Sequence, residues 1–192
     1  MSEEFSFVEF FYEEITENHP GDGKPVLEFF GKFHSANTLL ETIFLITLRQ
    51  PWHSNIILRY VKAPKLFLVD TGLLTYLLGI DMERAHADSG QMGKVIENFI
   101  VTELLKQITW SKTKPSLYHF MTAEGKEVDI ILENRAGQLV GIEVKSSSRV
   151  TPDDFKGLKF LQEKSPQKFV KGIVLYGGSE IVPFGNNLFA LP

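Results

Sequence analysis

The sequence contains no cysteine among its 192 residues, which excludes a disulfide framework, a zinc ribbon and a cysteine nucleophile. It also lacks any apolar stretch that approaches the roughly 20 residues needed for a membrane-spanning helix. Its first residues, MSEEFSFVEFFYEE, carry acids where a secretory signal peptide has a basic start and a continuous apolar run. Together these absences predict a cytoplasmic protein that makes no membrane contact.

An overall basic charge is also absent, because the net charge is −4 at pH 7. This value excludes a globally basic nucleic-acid binder, but the charge is unevenly distributed along the chain. Residues 42–69 contain four bases and no acid, and residues 145–171 contain seven bases against three acids. These stretches form two local basic surfaces in one interpretation and scattered solubilising charge in the other.

A nucleotide-binding loop is missing as well. Residues 21–25 read GDGKP, so Pro25 follows the lysine where a phosphate-binding loop has the Ser or Thr that holds magnesium. No apolar strand precedes this segment, and Gly-x-x-x-x-Gly-Lys-Ser/Thr occurs nowhere in the sequence. We therefore expect no nucleotide site and no ATPase activity in this chain.

The sequence that is present divides into three zones. Residues 1–35 form an acidic, aromatic N-terminal segment. Residues 36–81 predict a helix, a strand that ends near Arg49, a polar tip, a strand over Lys65–Val69 and a short helix after Asp70. Helix, strand, basic tip and strand are the elements of a small winged-helix unit, which we predict for residues 36–81.

The third zone, residues 93–192, predicts an α/β domain. Its hydrophobic periodicity indicates helices over residues 93–108 and 153–163, and strands over 117–120, 127–133, 139–145 and, as the last buried strand, 172–176. The order αβββαβ implies a mixed sheet flanked by helices.

Two neighbouring strands of this domain carry charged residues that can converge. Side chains alternate along a strand, so Glu143 and Lys145 are predicted to point to one side. The predicted faces of the preceding strand are Glu127, Asp129 and Ile131 on one side and Val128, Ile130 and Leu132 on the other. If the strands pair, Asp129 and Glu143 meet, and a hard divalent cation such as magnesium would neutralise them. Lys145 could then orient a phosphate or a water, or stabilise developing negative charge.

A third acid comes from the first helix of the domain. Glu97 is in line with the apolar stripe of Ile100, Val101 and Leu104, so it is expected to face inward. Glu103 competes for this assignment. The spacing also admits a structural interpretation, in which Glu143 and Lys145 lie on a solvated strand face and Glu97 belongs to a buried hydrogen-bond network.

The order of these acids and the lysine resembles the signature of the PD-(D/E)XK nuclease superfamily. It runs from Glu97 through Glu127-Val128-Asp129 to Glu143-Val144-Lys145. More closely, residues 38–192 resemble the C-terminal half of a large prokaryotic AAA-type ATPase family. The last domain of that family is related to archaeal Holliday-junction resolvases and is of unknown function. The matching stretches are PWHSN (51–55), KAPKLFLVDTGLLTYLLGI (62–80), IENFIVTELLKQ (96–107), GKEVDIILE (125–133), GIEVKSS (141–147), DFKGLKFL (154–161) and GIVLYGGSEIVPFGNNLFALP (172–192).

The resemblance implies a restriction-endonuclease-like fold after a winged-helix segment, and magnesium-dependent hydrolysis of DNA phosphodiesters. It implies that Asp129, Glu143 and Glu97 bind Mg²⁺, with Mn²⁺ as a substitute, and that Lys145 is the catalytic lysine. Val128 precedes Asp129 where the usual signature has Pro, which is a mild departure. The ATPase half of the family is missing here, and residues 1–35 match it poorly.

These features leave two functions open. The first is an active Mg²⁺-dependent endonuclease; the alternative is a non-catalytic module that binds DNA or a protein partner. In either case an ATPase could act in trans, and a homo-oligomer is compatible with both. DNA contacts are predicted for Arg49, His53, Arg59, Lys62 and Lys65 on the wing and for Lys156 and Lys159 on the helix after the Glu143 strand. The last two could instead belong to an exposed helix face.

Overall fold

The computed structural model describes residues 35–54, 63–81, 85, 89–122 and 125–192. The chain divides into two compact units, residues 1–43 and 44–192. In the first unit, residues 35–42 are helical, and Thr42 Oγ1 donates a hydrogen bond to the Thr38 carbonyl at 2.7 Å. The division falls within the predicted winged-helix unit, which stays a prediction. Residues 1–34 of the predicted N-terminal segment lie outside the described residues.

The second unit begins with a two-stranded hairpin and a short helix. Strand β1 (Ile46–Arg49) pairs antiparallel with β2 (Lys65–Leu68). Helix α1 (Thr71–Leu77) is capped by Asp70, whose carboxylate accepts a hydrogen bond from the Leu73 N–H at 2.6 Å. That bond satisfies a donor that the first helical turn would leave unpaired. The predicted order of strand, strand and helix is therefore present, and residues 55–62 of the predicted tip lie outside the described residues.

A six-stranded mixed sheet forms the centre of this unit, which confirms the predicted α/β class. Its strands are β3 (Ser116–Met121), β4 (Glu127–Glu133), β5 (Leu139–Lys145), β6 (Phe169–Tyr176), β7 (Val182–Gly185) and β8 (Leu188–Leu191), in the spatial order β3-β4-β5-β6-β8-β7. Strands β5, β6 and β8 are parallel, whereas β3, β4 and β7 run antiparallel to their neighbours. The central strand β5 is covered on both faces, as parallel strands usually are.

Helices cover the two faces of the sheet. Helix α2 (Ser89–Trp110) packs over one face and is longer than the predicted 93–108. Helix α3 (Lys156–Lys164), preceded by a 3-10 turn over Pro152–Phe155, packs over the other. The core on the α2 side includes Phe67, Val101, Ile130, Ile142 and Val144; the core on the α3 side includes Val128, Ile131, Leu139, Leu158, Leu161 and Val174. Among the described helices, none has both the length and the apolar character needed to span a bilayer.

The prediction that residues 172–176 form the last strand is wrong, because β7 and β8 follow. Strand β8 lies between β6 and β7, and its Leu188 and Ala190 are buried. Both strands have only four residues, and β7 contains Pro183, which normally argues against a strand. Pro183 is tolerated because β7 is the edge of the sheet and pairs with β8 alone.

Candidate functional site

The predicted site lies where β4 and β5 stop pairing, which we call the fork. The register of the two strands ends at the pair Ile130–Ile142. Beyond that pair, the Asp129 carboxylate accepts a hydrogen bond from the Val144 N–H at 2.8 Å. The side chain of Asp129 therefore takes the place of a main-chain acceptor and is held at the end of both strands.

A β-bulge creates this arrangement and corrects the predicted faces of β4. Tyr118 lies opposite Ile131 and Phe120 opposite Val128, so two residues of β4 face the single His119 of β3. The extra residue breaks the strict alternation of side chains. Val128 and Ile131 consequently pack together under α3, whereas Ile130 and Leu132 pack under α2. The prediction that Val128 lies on the same face as Ile130 and Leu132 is therefore wrong. Val128 lies on the face of Ile131.

Glu143 and Lys145 form the second part of the site. They lie on one side of the regular strand β5, with Lys145 Nζ 3.4 Å from Glu143 Oε1. Glu143 is buried, and its Oε2 has no hydrogen-bond partner among the described residues. Burial, together with the charge of Asp129, raises the pKa of Glu143 to about 8 although Lys145 opposes the shift. Burial disfavours the charged Lys145 amine, but the carboxylates of Glu143 and Asp129 together outweigh this effect and raise the lysine pKa.

Glu97 enters the site from α2 and is paired with a lysine of the hairpin. Its Oε1 lies 2.6 Å from Lys65 Nζ. Burial raises the pKa of Glu97, and the nearby Lys65 opposes that shift. Glu103, the competing candidate, instead pairs with the exposed Lys106 on the helix surface at 2.5 Å. Of the two acids, Glu97 is therefore the one that lies at the site.

Asp129 links the two ion pairs electrostatically. Burial raises its pKa, while the Val144 hydrogen bond and the charges of Lys65 and Lys145 oppose the rise. Two lysines from distant parts of the chain thus partly neutralise the carboxylates of the fork. Glu143 pairs with Lys145, Glu97 pairs with Lys65, and Asp129 feels the charge of both lysines. The catalytic roles predicted for Glu97, Asp129, Glu143 and Lys145 stay a prediction.

The donor set has the chemistry that a hard divalent cation requires. Glu143 Oε2 is a buried oxygen without a hydrogen-bond partner in the described part of the chain, and the Asp129 carboxylate lies near it. Within the described residues, no group of three His, Asp or Glu side chains is spaced to hold a metal ion. Mg²⁺ is commonly held by only one or two carboxylates, with waters and phosphate oxygens as the other ligands. Asp129 and Glu143 fit that mode.

An open cleft of about 520 Å³ leads to Glu143 and Lys145. It lies between α3 and the ends of β4 and β5. Its lining includes the bases Lys126, Lys145, Lys156 and Lys159 and the acids Glu127, Glu143, Asp153, Asp154 and Glu163. Helix α3 approaches the sheet closely here, since a Cβ on Gly157 would lie 1.9 Å from the Glu127 carbonyl oxygen.

The residues predicted to contact DNA are dispersed. Lys156 and Lys159 line the cleft, and Lys156 Nζ lies 3.1 Å from Asp153 Oδ2. Arg49 donates to the Thr47 hydroxyl, and His53 is half-buried. Lys65 is engaged at the site instead of projecting from the tip. The remaining two, Arg59 and Lys62, lie outside the described residues.

Sequence reasoning missed two residues of the site. Lys65 is predicted to contact DNA from the wing, but it alternates with the buried Phe67 in β2, and this alternation signals that Lys65 points inward. His119 lies at the bulge, and burial and the charge of Lys65 lower its pKa to about 4. His119 is therefore neutral at pH 7. The sequence carries no signal for the position of His119, because no local sequence pattern marks the bulge opposite it.

Comparisons with known proteins give a family without an assigned activity. An uncharacterized protein from Mycobacterium bovis (Mb2031c) and one from Mycobacterium tuberculosis (Rv2008c) are each 29% identical over 142 residues. The match covers 74% of this chain but 30% of either relative, so the chain spans about a third of their length.

Among solved structures, an assembly of Thermococcus gammatolerans McrB AAA+ hexamers with bound McrC is similar at a TM-score of 0.37 and 13% identity. That similarity covers 52% of this chain and 27% of the other, and it is too remote to define a common fold. Residues 31–84 match a domain of unknown function, DUF8612. Residues 92–192, more than half of the chain, match the domain of unknown function DUF4143. The chain therefore belongs to the DUF4143 family.

Proposed function

We propose that this chain is a divalent-metal-dependent DNA phosphodiester hydrolase of the PD-(D/E)XK type, with its site at the fork. The observation that carries the proposal is the convergence of Asp129, Glu143 and Lys145 at the fork, where the buried Glu143 Oε2 has no hydrogen-bond partner among the described residues. Burying carboxylates in this way is costly unless a cation or a proton compensates them. A divalent cation bound at the fork would offset this cost, and the same cation would serve the hydrolysis.

In this proposal Asp129 and Glu143 hold Mg²⁺ or Mn²⁺, and Glu97 stands at the edge of the site. When bound, the ion supplies Lewis-acid polarisation of the phosphate and lowers the pKa of a water. The water oxygen bonds to phosphorus as one P–O ester bond breaks; one water proton reaches the leaving oxygen and the other passes to solvent. Lys145 Nζ, beside Glu143, stabilises the negative charge that develops on the phosphate.

DNA is the proposed substrate because the cleft leads to the fork and carries lysines. Lys126, Lys156 and Lys159 line it with Lys145 and could contact successive phosphates of a strand. The acids of the same cleft would repel DNA unless cations screen them, which agrees with a site that operates with a divalent ion. Arg49 and His53 of the hairpin do not line the cleft and are proposed to contact the DNA separately.

An ATPase is the proposed partner, acting in cis in longer relatives or in trans on this chain. The curated relatives are about three times as long as the matched segment, which leaves room for further domains in them. A homo-oligomer and a cytoplasmic location belong to the same proposal. The chain carries no Gly-x-x-x-x-Gly-Lys-Ser/Thr, so nucleotide hydrolysis is assigned to the partner.

The proposal is tested by incubating supercoiled, linear and branched DNA with Mn²⁺ and either the wild type or Asp129→Asn. Glu103→Gln is the matched control, because it removes a carboxylate that pairs with Lys106 on the surface of α2 and does not line the cleft. Hydrolysis is expected from the wild type and the control but not from Asp129→Asn. DNA binding that falls steeply with salt, without cleavage by any protein, would instead identify a non-catalytic binding module.

A further inference from the structure

We infer that Lys65 is an internal counter-cation of the fork, which competes with a divalent ion for the carboxylates and weakens binding of that ion. The inference rests on the proposed metal site and deepens it. Lys65 belongs to the hairpin and not to the sheet that carries Asp129 and Glu143. An element outside the catalytic sheet would therefore set how readily the site takes up its cation.

The contact of Lys65 differs from an ordinary surface ion pair. Lys65 Nζ lies 2.6 Å from Glu97 Oε1, and the side chain of Glu97 is only 13% exposed. The Lys65 charge also acts on Asp129. In contrast, Lys106 and Glu103 pair within one turn of α2 with 55% and 36% of their side chains exposed. Water screens that second pair, whereas Lys65 acts on carboxylates that are largely removed from water.

The hairpin is fastened so that Lys65 stays at the site. Asn98, buried on α2, accepts a hydrogen bond from the Leu68 N–H and donates one to the Leu68 carbonyl, each at 2.9 Å. Phe67, which lies between Lys65 and Leu68 along β2, is buried in the α2-side core. Strand β2 is therefore bound to the same helix that presents Glu97. The lysine is positioned by structure and does not reach the site by chance rotation of a long side chain.

Competition follows from the charges. The Lys65 charge acts on the Asp129 carboxylate, so it would also repel a divalent ion that Asp129 binds, because like charges repel. The ion also needs the negative charge that Lys65 now partly cancels at Glu97 and Asp129. Removing the lysine charge is expected to tighten Mn²⁺ binding by about tenfold. Replacing it by arginine is expected to leave the affinity within about threefold of wild type, because the charge remains.

The experiment measures Mn²⁺ affinity by electron paramagnetic resonance of the free ion for the wild type, Lys65→Met and Lys65→Arg. Lys106→Met is the matched control, since it removes the same charge from a pair on the exposed surface of α2. Circular dichroism and thermal melting establish that each variant folds. If Lys65→Met does not fold, Lys65→Gln carries the same expectation and retains a donor for Glu97.

Tighter Mn²⁺ binding in Lys65→Met, with Lys106→Met and Lys65→Arg close to wild type, supports the inference. If Lys65 had only a structural role, Lys65→Met would lower the melting temperature without increasing the affinity for Mn²⁺. If the wild type binds Mn²⁺ and Lys65→Met binds it equally or more weakly, the role of Lys65 is overturned but the proposed metal site stays intact. Absence of Mn²⁺ binding in every variant overturns the metal site and the inference together.

Discussion

The Asp129 carboxylate accepts a hydrogen bond from the Val144 N–H at 2.8 Å, immediately beyond the last residue pair of β4 and β5. One oxygen of the Asp129 side chain thus accepts the hydrogen bond that follows the last paired residues of the two strands. Asp129 consequently has a structural task that is independent of any metal, and variants at this position must be interpreted with both tasks in mind.

Asp129→Ala is expected to lower the free energy of unfolding by about 2 kcal/mol, because it leaves the Val144 N–H without its acceptor. Asp129→Asn keeps an oxygen that can accept that bond and removes a charge that repels Glu143. It should therefore be clearly more stable than Asp129→Ala. Urea denaturation in EDTA compares the two, and equal stability would contradict the structural role of the Asp129 oxygen.

The metal-free protein is expected to lose stability as the pH rises from about 4.5 to about 8. Burial and the Asp129 charge raise the folded-state pKa of Glu143 to about 8, above its ordinary value of 4.5. Between these values the folded state binds more protons than the unfolded state, so deprotonation favours unfolding. Urea titrations in EDTA across this range should show the fall, and Glu143→Gln should flatten it. A profile that is identical in Glu143→Gln would contradict the assignment.

Gly157→Ala is expected to lower the free energy of unfolding by about 1–3 kcal/mol. Its Cβ would lie 1.9 Å from the Glu127 carbonyl oxygen, so α3 would be pushed away from β4. Gly93→Ala in α2 is the control, because its nearest neighbour, Ser146 Oγ, is 4.0 Å away. The control should be neutral or stabilise by about 0.5–1 kcal/mol, as expected when alanine replaces glycine within a helix. Equal thermal shifts in both variants would contradict the close packing of α3.

Asn98→Leu is expected to release the hairpin from α2. The substitution removes both hydrogen bonds to Leu68 and leaves its N–H and C=O unpaired, at a cost of about 2 kcal/mol. Native-state hydrogen exchange at the Leu68 amide should accelerate by about 30-fold, which corresponds to that cost. Gln107→Leu, an exposed position of the same helix, is the control and should leave this rate unchanged. An unchanged rate in Asn98→Leu would show that other contacts hold the hairpin.

The sequence predicted the parts of the site that depend on regular alternation. Glu143 and Lys145 lie on one side of β5 because that strand contains no bulge between them. The faces of β4 were predicted incorrectly because the bulge opposite His119 depends on how two strands pair. No pattern within β4 alone encodes it.

Contacts between distant segments account for the rest. Lys65 and Glu97 are far apart in sequence, and their pairing depends on how the hairpin docks on α2 through Asn98. Periodicity placed Glu97 on the inner stripe of its helix but could not identify its partner. Strands β7 and β8 escaped prediction because each has four residues and β7 contains Pro183.

The central claim is that the fork hydrolyses DNA, and plasmid nicking by the wild type and Lys145→Ala tests it most directly. Lys168→Ala, which removes an exposed lysine outside the cleft, is the matched control. In Mn²⁺, nicking by the wild type and the control is expected to be about a hundredfold faster than by Lys145→Ala, because the variant lacks the ammonium that stabilises the developing charge. Equal nicking by Lys145→Ala, or no nicking by the folded wild type, would contradict the claim.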